Sequence, residues 1–281
     1  VTVSKEPHSL PKNPITYLIT LLPMYMSSTK IIATFNQSGG AAKTTITHNL
    51  GYHLAKKHRV LLVDMDPQAS LTAFMGLGEV KLQTEQTIYG AIAEETPLYI
   101  WEKPIHGMHL VPTNIQLAGT EQKIFHDLTI DNRQRLKFVL SNVLDQYDYI
   151  LIDCPPSLGI LSIMSLVAAS HVIIPVETQY KCYLGTNQLL ETIARLKKGG
   201  HQKLQIACII PTKYDNRNLQ DTGILEEIKQ QVEGRIHVTA PIPKSTAFPD
   251  ATQAHLPLAL HKKNHPAVST LEEITKYITQ L

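Results

Sequence analysis

Lys43 and Thr44 close a short glycine-bearing stretch, Phe35-Asn-Gln-Ser-Gly-Gly-Ala-Ala-Lys43-Thr44-Thr45, set between an apolar run and a helical-looking run, THNLGYHLAKK. At a strand-to-helix turn of this kind, successive backbone N–H groups and the positive end of the helix dipole can wrap phosphate oxygens. Lys43 can then reach the β- and γ-phosphates, and the Thr44 hydroxyl can ligate Mg²⁺. The nucleotide-binding stretch on this reading is Ser38, Gly39, Gly40, Ala41, Ala42, Lys43, Thr44 and Thr45. The standard spacing G-x-x-x-x-G-K-[ST] is not met, because its two glycines would fall on Gln37 and Ala42. Taken alone, the stretch also describes a plain helix-capping turn. Its company argues for phosphate. Twenty-one residues after Lys43 comes Asp64, which with Asp66 follows the apolar part of the run VLLVDMDPQ, and Asp153 follows the apolar part of YILIDCPP. Acidic residues at the carboxyl ends of parallel strands are the arrangement needed to hold Mg²⁺ beside a phosphate chain.

The elements that must position these groups alternate. Apolar β-branched runs followed by helix-like stretches signal repeated βαβ units, hence an α/β fold with a doubly wound, mostly parallel sheet and helices on both faces. The expected strands are Ile31–Phe35, Val60–Asp64, His109–Pro112, Tyr149–Asp153, His171–Val176, Leu204–Ile210 and Ile236–Ile242. Runs such as ILID and VIIPV are continuously apolar, which suits strands covered on both faces. Residues 29–281 are read as one domain. Residues 1–28 are read as an N-terminal extension, disordered or upstream of the native start. Its apolar part, Ile15–Met26, is interrupted by Pro23 and is shorter than the ~20 residues a membrane-spanning helix needs.

Beyond the loop, four segments in order resemble the deviant Walker-box ATPases of the ParA/MinD family: Val63-Asp-Met-Asp-Pro-Gln68, Val111-Pro-Thr-Asn-Ile-Gln-Leu-Ala-Gly119, Ile152-Asp-Cys-Pro-Pro-Ser-Leu-Gly159 and Pro211-Thr-Lys-Tyr-Asp-Asn-Arg217. The resemblance covers about residues 29–281. It favours the ParA branch, since the C-terminal run Leu271–Leu281 carries two acids and one lysine and looks like a packing helix, not a basic membrane anchor. The resemblance implies a P-loop fold and slow, partner-stimulated ATP hydrolysis with Mg²⁺. Residue by residue, it implies phosphate binding by Lys43, metal ligation by Thr44 with Asp153 acting through water, placement of the attacking water by Asp66, and support of that segment by Asp64, which is also counted with Thr44 and Asp153 among the candidate metal residues.

The departure is Ser38, where ParA proteins carry a signature lysine that reaches the partner's ATP. A missing cation of this kind matters, since an arginine finger is worth about 10³–10⁵ in rate. The carboxysome-positioning McdA subgroup lacks this lysine, and the sequence is read as most like that subgroup. Lys181, in Glu177-Thr-Gln-Tyr-Lys-Cys-Tyr-Leu-Gly185, is the expected surrogate at the dimer face; its plain alternative is a solvated lysine.

The family further implies a homodimer with ATP sandwiched in it, nonspecific DNA as a partner, an adaptor (McdB-like or ParB-like) that stimulates hydrolysis, no membrane, and a cytoplasmic, nucleoid-associated location. Arg217 matches a DNA-contacting arginine, and Lys198, Arg235, Lys244 and Lys262 are further basic candidates. With 26 Lys plus Arg against 24 Asp plus Glu, the chain lacks the basic excess of a nucleic-acid-coating protein, so DNA binding must be local or induced by dimerisation. Three cysteines without a CxxC pair argue against a disulfide framework or zinc ribbon, and His48, His53 and His58, spaced by five, lack the i, i+4 spacing of a helical metal pair. Plasmid or chromosome partition is the close alternative to carboxysome positioning. An electron-transfer protein resembling the nitrogenase iron protein and a non-hydrolysing nucleotide-dependent scaffold are the readings from other classes. An upstream operator-binding helix-turn-helix domain is not expected.

Overall fold

A computed structural model describes residues 29–124, 131–199, 201 and 203–281. Six strands, β1 (Lys30–Thr34), β2 (Val60–Asp64), β3 (Met108–Val111), β4 (Tyr149–Asp153), β5 (His171–Glu177) and β6 (Gln205–Thr212), form one sheet in the order β3-β2-β4-β1-β5-β6. Every strand pairing is parallel, so all carboxyl ends lie along one edge. After β1 the chain passes over β4 to build β2, and later returns to place β5 on the other side of β1. Such a reversal opens a crevice at the carboxyl edge, where ligands bind in open α/β sheets.

The continuous apolar strands are explained by two cores. Ile31 and Ala33 of β1, Leu61 and Val63 of β2 and Ile150 and Ile152 of β4 face one layer, which contains helix α2 (Ile160–Ala168) through Met164 and Leu166, α3 (Tyr180–Lys198) through Leu189 and Ile193, and α4 (Leu219–Val232) through Ile224 and Ile228. Ile32, Leu62 and Leu151 face the opposite layer, formed by α1 (Lys43–Ala55) through Ile46, Leu50 and Leu54 and by α5 (Pro266–Thr279) through Leu271, Ile274 and Ile278. The C-terminal run is thus a packing helix, as its composition suggested: its apolar stripe at helical spacing is spent on the core. Among the described residues no helix is long and apolar enough to cross a membrane.

The expected strand Ile236–Ile242 does not form. The segment runs along the open edge of β6 and meets it only at isolated bridges, Ile209 with Val238 and Tyr214 with Pro243. Pro211 in β6 and Pro241 and Pro243 in the segment have no N–H to donate, so a continuous ladder cannot close. Residues 1–28, read as an extension, lie outside the described residues.

Candidate functional site

The loop between β1 and α1 is fixed from its first residue. Asn36 is fully buried; its amide donates to the Pro175 carbonyl at 2.7 Å and its side-chain oxygen accepts from the Ser38 N–H at 2.9 Å. Gly40 (φ 81°) and Ala42 (φ 66°) are left-handed, and in such alternation successive N–H groups turn into one concavity. Ala42 therefore adopts the backbone that the expected glycine would supply, against a cost of about 1 kcal/mol for a side chain in that region. Thr212 Oγ1 ties the loop to the end of β6 by donating to the Ala41 carbonyl at 3.3 Å.

Lys43, 7 % exposed, folds back so that its ammonium donates to the Ser38 carbonyl at 3.2 Å. Burial pulls its pKa down while the Asp153 carboxylate pushes it up. Thr44 Oγ1 donates to Asp153 Oδ2 at 2.6 Å, and Thr47 Oγ1 lies 3.5 Å from Asp153 Oδ1. Parallel pairing puts Asp64 and Asp153 side by side at the ends of β2 and β4. Both are fully buried, and both carboxyls are pushed up, first by burial and then by the backing of neighbouring negative charge.

These two acids have different settings. Asp153 stands behind Thr44, where a hydroxyl-bound cation would offset its charge. Asp64 spends its oxygens on the chain that follows it: Oδ2 accepts from the Thr72 N–H and hydroxyl, each at 2.8 Å, and Oδ1 accepts from the Asp66 N–H at 3.2 Å. These three accepted hydrogen bonds tie Asp64 to residues 66–72. Asp66 itself is part-exposed and lines the cleft, with Oδ1 accepting from the Gln68 N–H at 3.0 Å.

The cleft has a volume of about 820 Å³. One end is the loop from Gly39 to Thr45 with Asp66; the other is a wall of Ile242, Pro243, Phe248 and Pro249, with Thr252 and Gln253 beside them. Apolar walls with a few polar groups around a phosphate cradle fit a nucleotide's size and chemistry. Sequence reading did not single out this wall, since it comes from short segments after β6 that carry no repeating pattern. It also missed Glu177 and Lys213, which end β5 and the β6 edge beside Gly40; the signal available was their position at strand carboxyl ends.

The other expected residues scatter. Lys181 is in the first turn of α3, and its side chain lies outside the described residues, as does that of Cys182. Arg217, 87 % exposed, forms a two-point ion pair with Asp215 (2.9 and 2.8 Å), which holds that carboxyl down at about 2. Lys244 lines the cleft near Lys213, whereas Lys198, at the end of α3, and Arg235, after α4, stand toward the opposite, amino edge of the sheet. Lys262 is exposed after the short helix Leu258–His261. The five do not form a single patch on one chain. Cys154 and Cys208 are buried, and burial pushes both thiols up. His48 and His53 are buried on α1 with packing partners, and among the described residues no group of three His, Cys, Asp or Glu is placed to hold a metal ion.

Comparison with known proteins gives the same picture. A family model described as an AAA domain matches residues 29–206. The chain is 36% identical over 252 residues to the sporulation initiation inhibitor protein Soj of Bacillus subtilis (89% of this chain, 98% of that protein). It is 31% identical over 252 residues to the chromosome-partitioning ATPase Soj of Treponema pallidum (89% and 96%). Among solved structures, cobyrinic acid a,c-diamide synthase from Mycobacterium smegmatis with bound ADP and magnesium superposes with a TM-score of 0.77 at 29% identity, covering 90% of this chain and 94% of that one. McdA from Cyanothece as an ATP complex superposes with a TM-score of 0.81 at 23% identity (90% and 97%), a likeness of fold alone.

Proposed function

The chain belongs to the ParA/MinD family of P-loop ATPases, and on that premise we propose that it is an ATP- and Mg²⁺-dependent switch that dimerises around ATP, binds DNA without sequence preference and positions an intracellular cargo through an adaptor that stimulates hydrolysis. The observation that carries the reading is the contact of Thr44 Oγ1 with Asp153 Oδ2 at 2.6 Å beneath a loop capped by buried Lys43. A hydroxyl backed by a buried carboxylate, beside a concavity of N–H groups, fits a divalent cation on a phosphate chain. The M. smegmatis relative with ADP and magnesium supports the same ligands here.

In this reading the loop N–H groups and Lys43 would bind the β- and γ-phosphates, and Thr44 with Asp153 behind it would hold Mg²⁺. Held there, Mg²⁺ would supply charge neutralisation of the phosphates. Asp66, on the cleft wall, orients the attacking water, and Asp64 holds the Asp66 segment in place by its three accepted hydrogen bonds. Pro243 and Phe248 close on the base. No nucleophilic side chain is required, because phosphoryl transfer needs mainly positioning and charge compensation.

Ser38 favours a carboxysome-type cargo with an McdB-like adaptor, and in that case Lys181 of the partner subunit's copy supplies the charge Ser38 lacks. The names of the relatives favour a second cargo, a chromosome or plasmid partition complex with a ParB-like adaptor. The test common to both is binding to nonspecific DNA at fixed salt with no nucleotide, with ADP and with ATP–Mg²⁺. Binding confined to the ATP state is expected; equal binding in all three states, or none, would overturn the cycle. Turnover above background that Asp66→Ala abolishes is expected as well, and its absence would leave a non-hydrolysing scaffold.

A further inference from the structure

Gly40, in the middle of the phosphate loop, is faced by an ion pair. Lys213 Nζ lies 3.2 Å from Glu177 Oε2, and a Cβ on Gly40 would sit 3.5 Å from the first and 3.9 Å from the second. Glu177 ends β5 beside Thr212, the last residue of the neighbouring parallel strand β6, and Lys213 follows Thr212 directly, so the sheet itself brings the two to the loop. Lys213 is left-handed (φ 54°), a conformation that side chains adopt at a cost and that recurs at ligand sites. Its side chain is partly exposed (41 %), while the Glu177 side chain is 13 % exposed and is held on its other oxygen by the Gln179 amide at 2.9 Å.

We propose that Lys213 is a second phosphate-binding cation supplied by the same chain, and that Glu177 is the counter-ion that holds it beside the loop until a polyphosphate arrives. The inference rests on the reading of the cleft as a nucleotide site. Without ligand, Glu177 neutralises an ammonium that would otherwise stand unpaired at the cleft wall. With ligand, the flexible lysine stem carries Nζ to a phosphate oxygen, because a part-exposed ion pair is worth little and exchanges readily for a charge-assisted bond to phosphate. Glu177, tethered by Gln179, stays. Its remaining negative charge beside the loop opposes the incoming phosphates and makes occupancy depend on Lys213. With Ser38 uncharged, Lys213 is the cation on this wall closest to Gly40, and it needs no partner subunit to act.

The test is equilibrium binding of ATP–Mg²⁺ and of inorganic tripolyphosphate to the full chain and to Lys213→Ala, Lys213→Arg, Glu177→Gln and the double variant Glu177→Gln/Lys213→Ala, with thermal midpoints as a folding control. Loss of a charge-assisted phosphate contact predicts about 10- to 100-fold weaker binding of both ligands by Lys213→Ala. Lys213→Arg should stay within a few-fold of the parent, Glu177→Gln should bind several-fold tighter, and the double variant should recover part of the loss. Unchanged affinity for both ligands in a folded Lys213→Ala overturns the proposal, and so does a loss seen with ATP but not tripolyphosphate, which would assign the lysine to the nucleoside. Both results leave the nucleotide site standing, provided Lys43→Ala abolishes binding. A parent chain that binds neither ligand overturns the site and this inference together.

Discussion

Asp153 and Thr44 show how much a single pair of side chains asks of its surroundings. A carboxyl that is fully buried beside another buried carboxyl is driven toward its neutral form, which the Thr44 hydroxyl and the Lys43 ammonium oppose. A divalent cation at Thr44 would restore the charge. Asp153→Asn keeps the shape and removes the buried charge, so the free protein is expected to unfold at the same or a higher temperature. The amide cannot back a metal-bound hydroxyl or water as a carboxylate does, so the apparent affinity for Mg²⁺ in the presence of ATP is expected to fall about 10–100-fold, the usual cost of losing an outer partner of a metal. Titrating Mg²⁺ against ATPase rate and against thermal midpoint in parallel checks both halves. An unchanged Mg²⁺ dependence would remove Asp153 from the site.

At the scale of the element, α1 carries more than the loop's lysine. Its two turns after Thr44 bury His48 and His53 against the second core, and Asn49 accepts from the Leu258 N–H at 2.8 Å, tying in the segment that leads to α5. His48 is 1 % exposed and stacks edge-on near Phe74; burial, with a smaller push from His106, brings it down to about 4. Its folded value lies below its ordinary 6.5, so the neutral ring's contribution is complete above pH 6.5 and is lost as pH falls from there through about 4. The full loss is about 3 kcal/mol. Chemical denaturation between pH 7 and 4 should show this acid limb, and His48→Leu should flatten it. An unchanged limb in that variant would assign the acid sensitivity elsewhere.

For the whole molecule, the decisive fact is that the carboxyl ends of all six strands lie along one edge. The loop, Asp66, the Glu177–Lys213 pair and the apolar wall come from segments far apart in the chain and share a cleft because every strand points the same way. The basic candidates obey the same geometry with the opposite result. Arg217 and Lys244 stand at the carboxyl edge, whereas Lys198 and Arg235 follow helices that run back to the amino edge. On the proposed function, DNA contact by one chain would be local, and Arg217 would give up part of its pairing with Asp215 to reach a phosphate. Arg217→Ala is expected to weaken ATP-state binding about equally on unrelated DNA sequences and to reduce the salt slope by about one per site. A strongly sequence-dependent effect would contradict backbone contact.

Order along the chain was enough to determine the α/β class, six of the strands and the lysine loop, because a strand buried on both faces must be apolar throughout and a phosphate turn must sit between strand and helix. The seventh strand failed for a reason also present in the sequence, the prolines that break its ladder. What tertiary structure alone decided were relations between residues distant in sequence. It separated Asp153 behind Thr44 from Asp64 beneath residues 66–72, although both end an apolar strand in the same way. It also brought Lys213 to Gly40 and distributed the basic residues over two edges. Spacing in sequence fixes which residues lie on an element; which carboxylate meets which hydroxyl depends on strand order and register, and those are set by packing across the sheet.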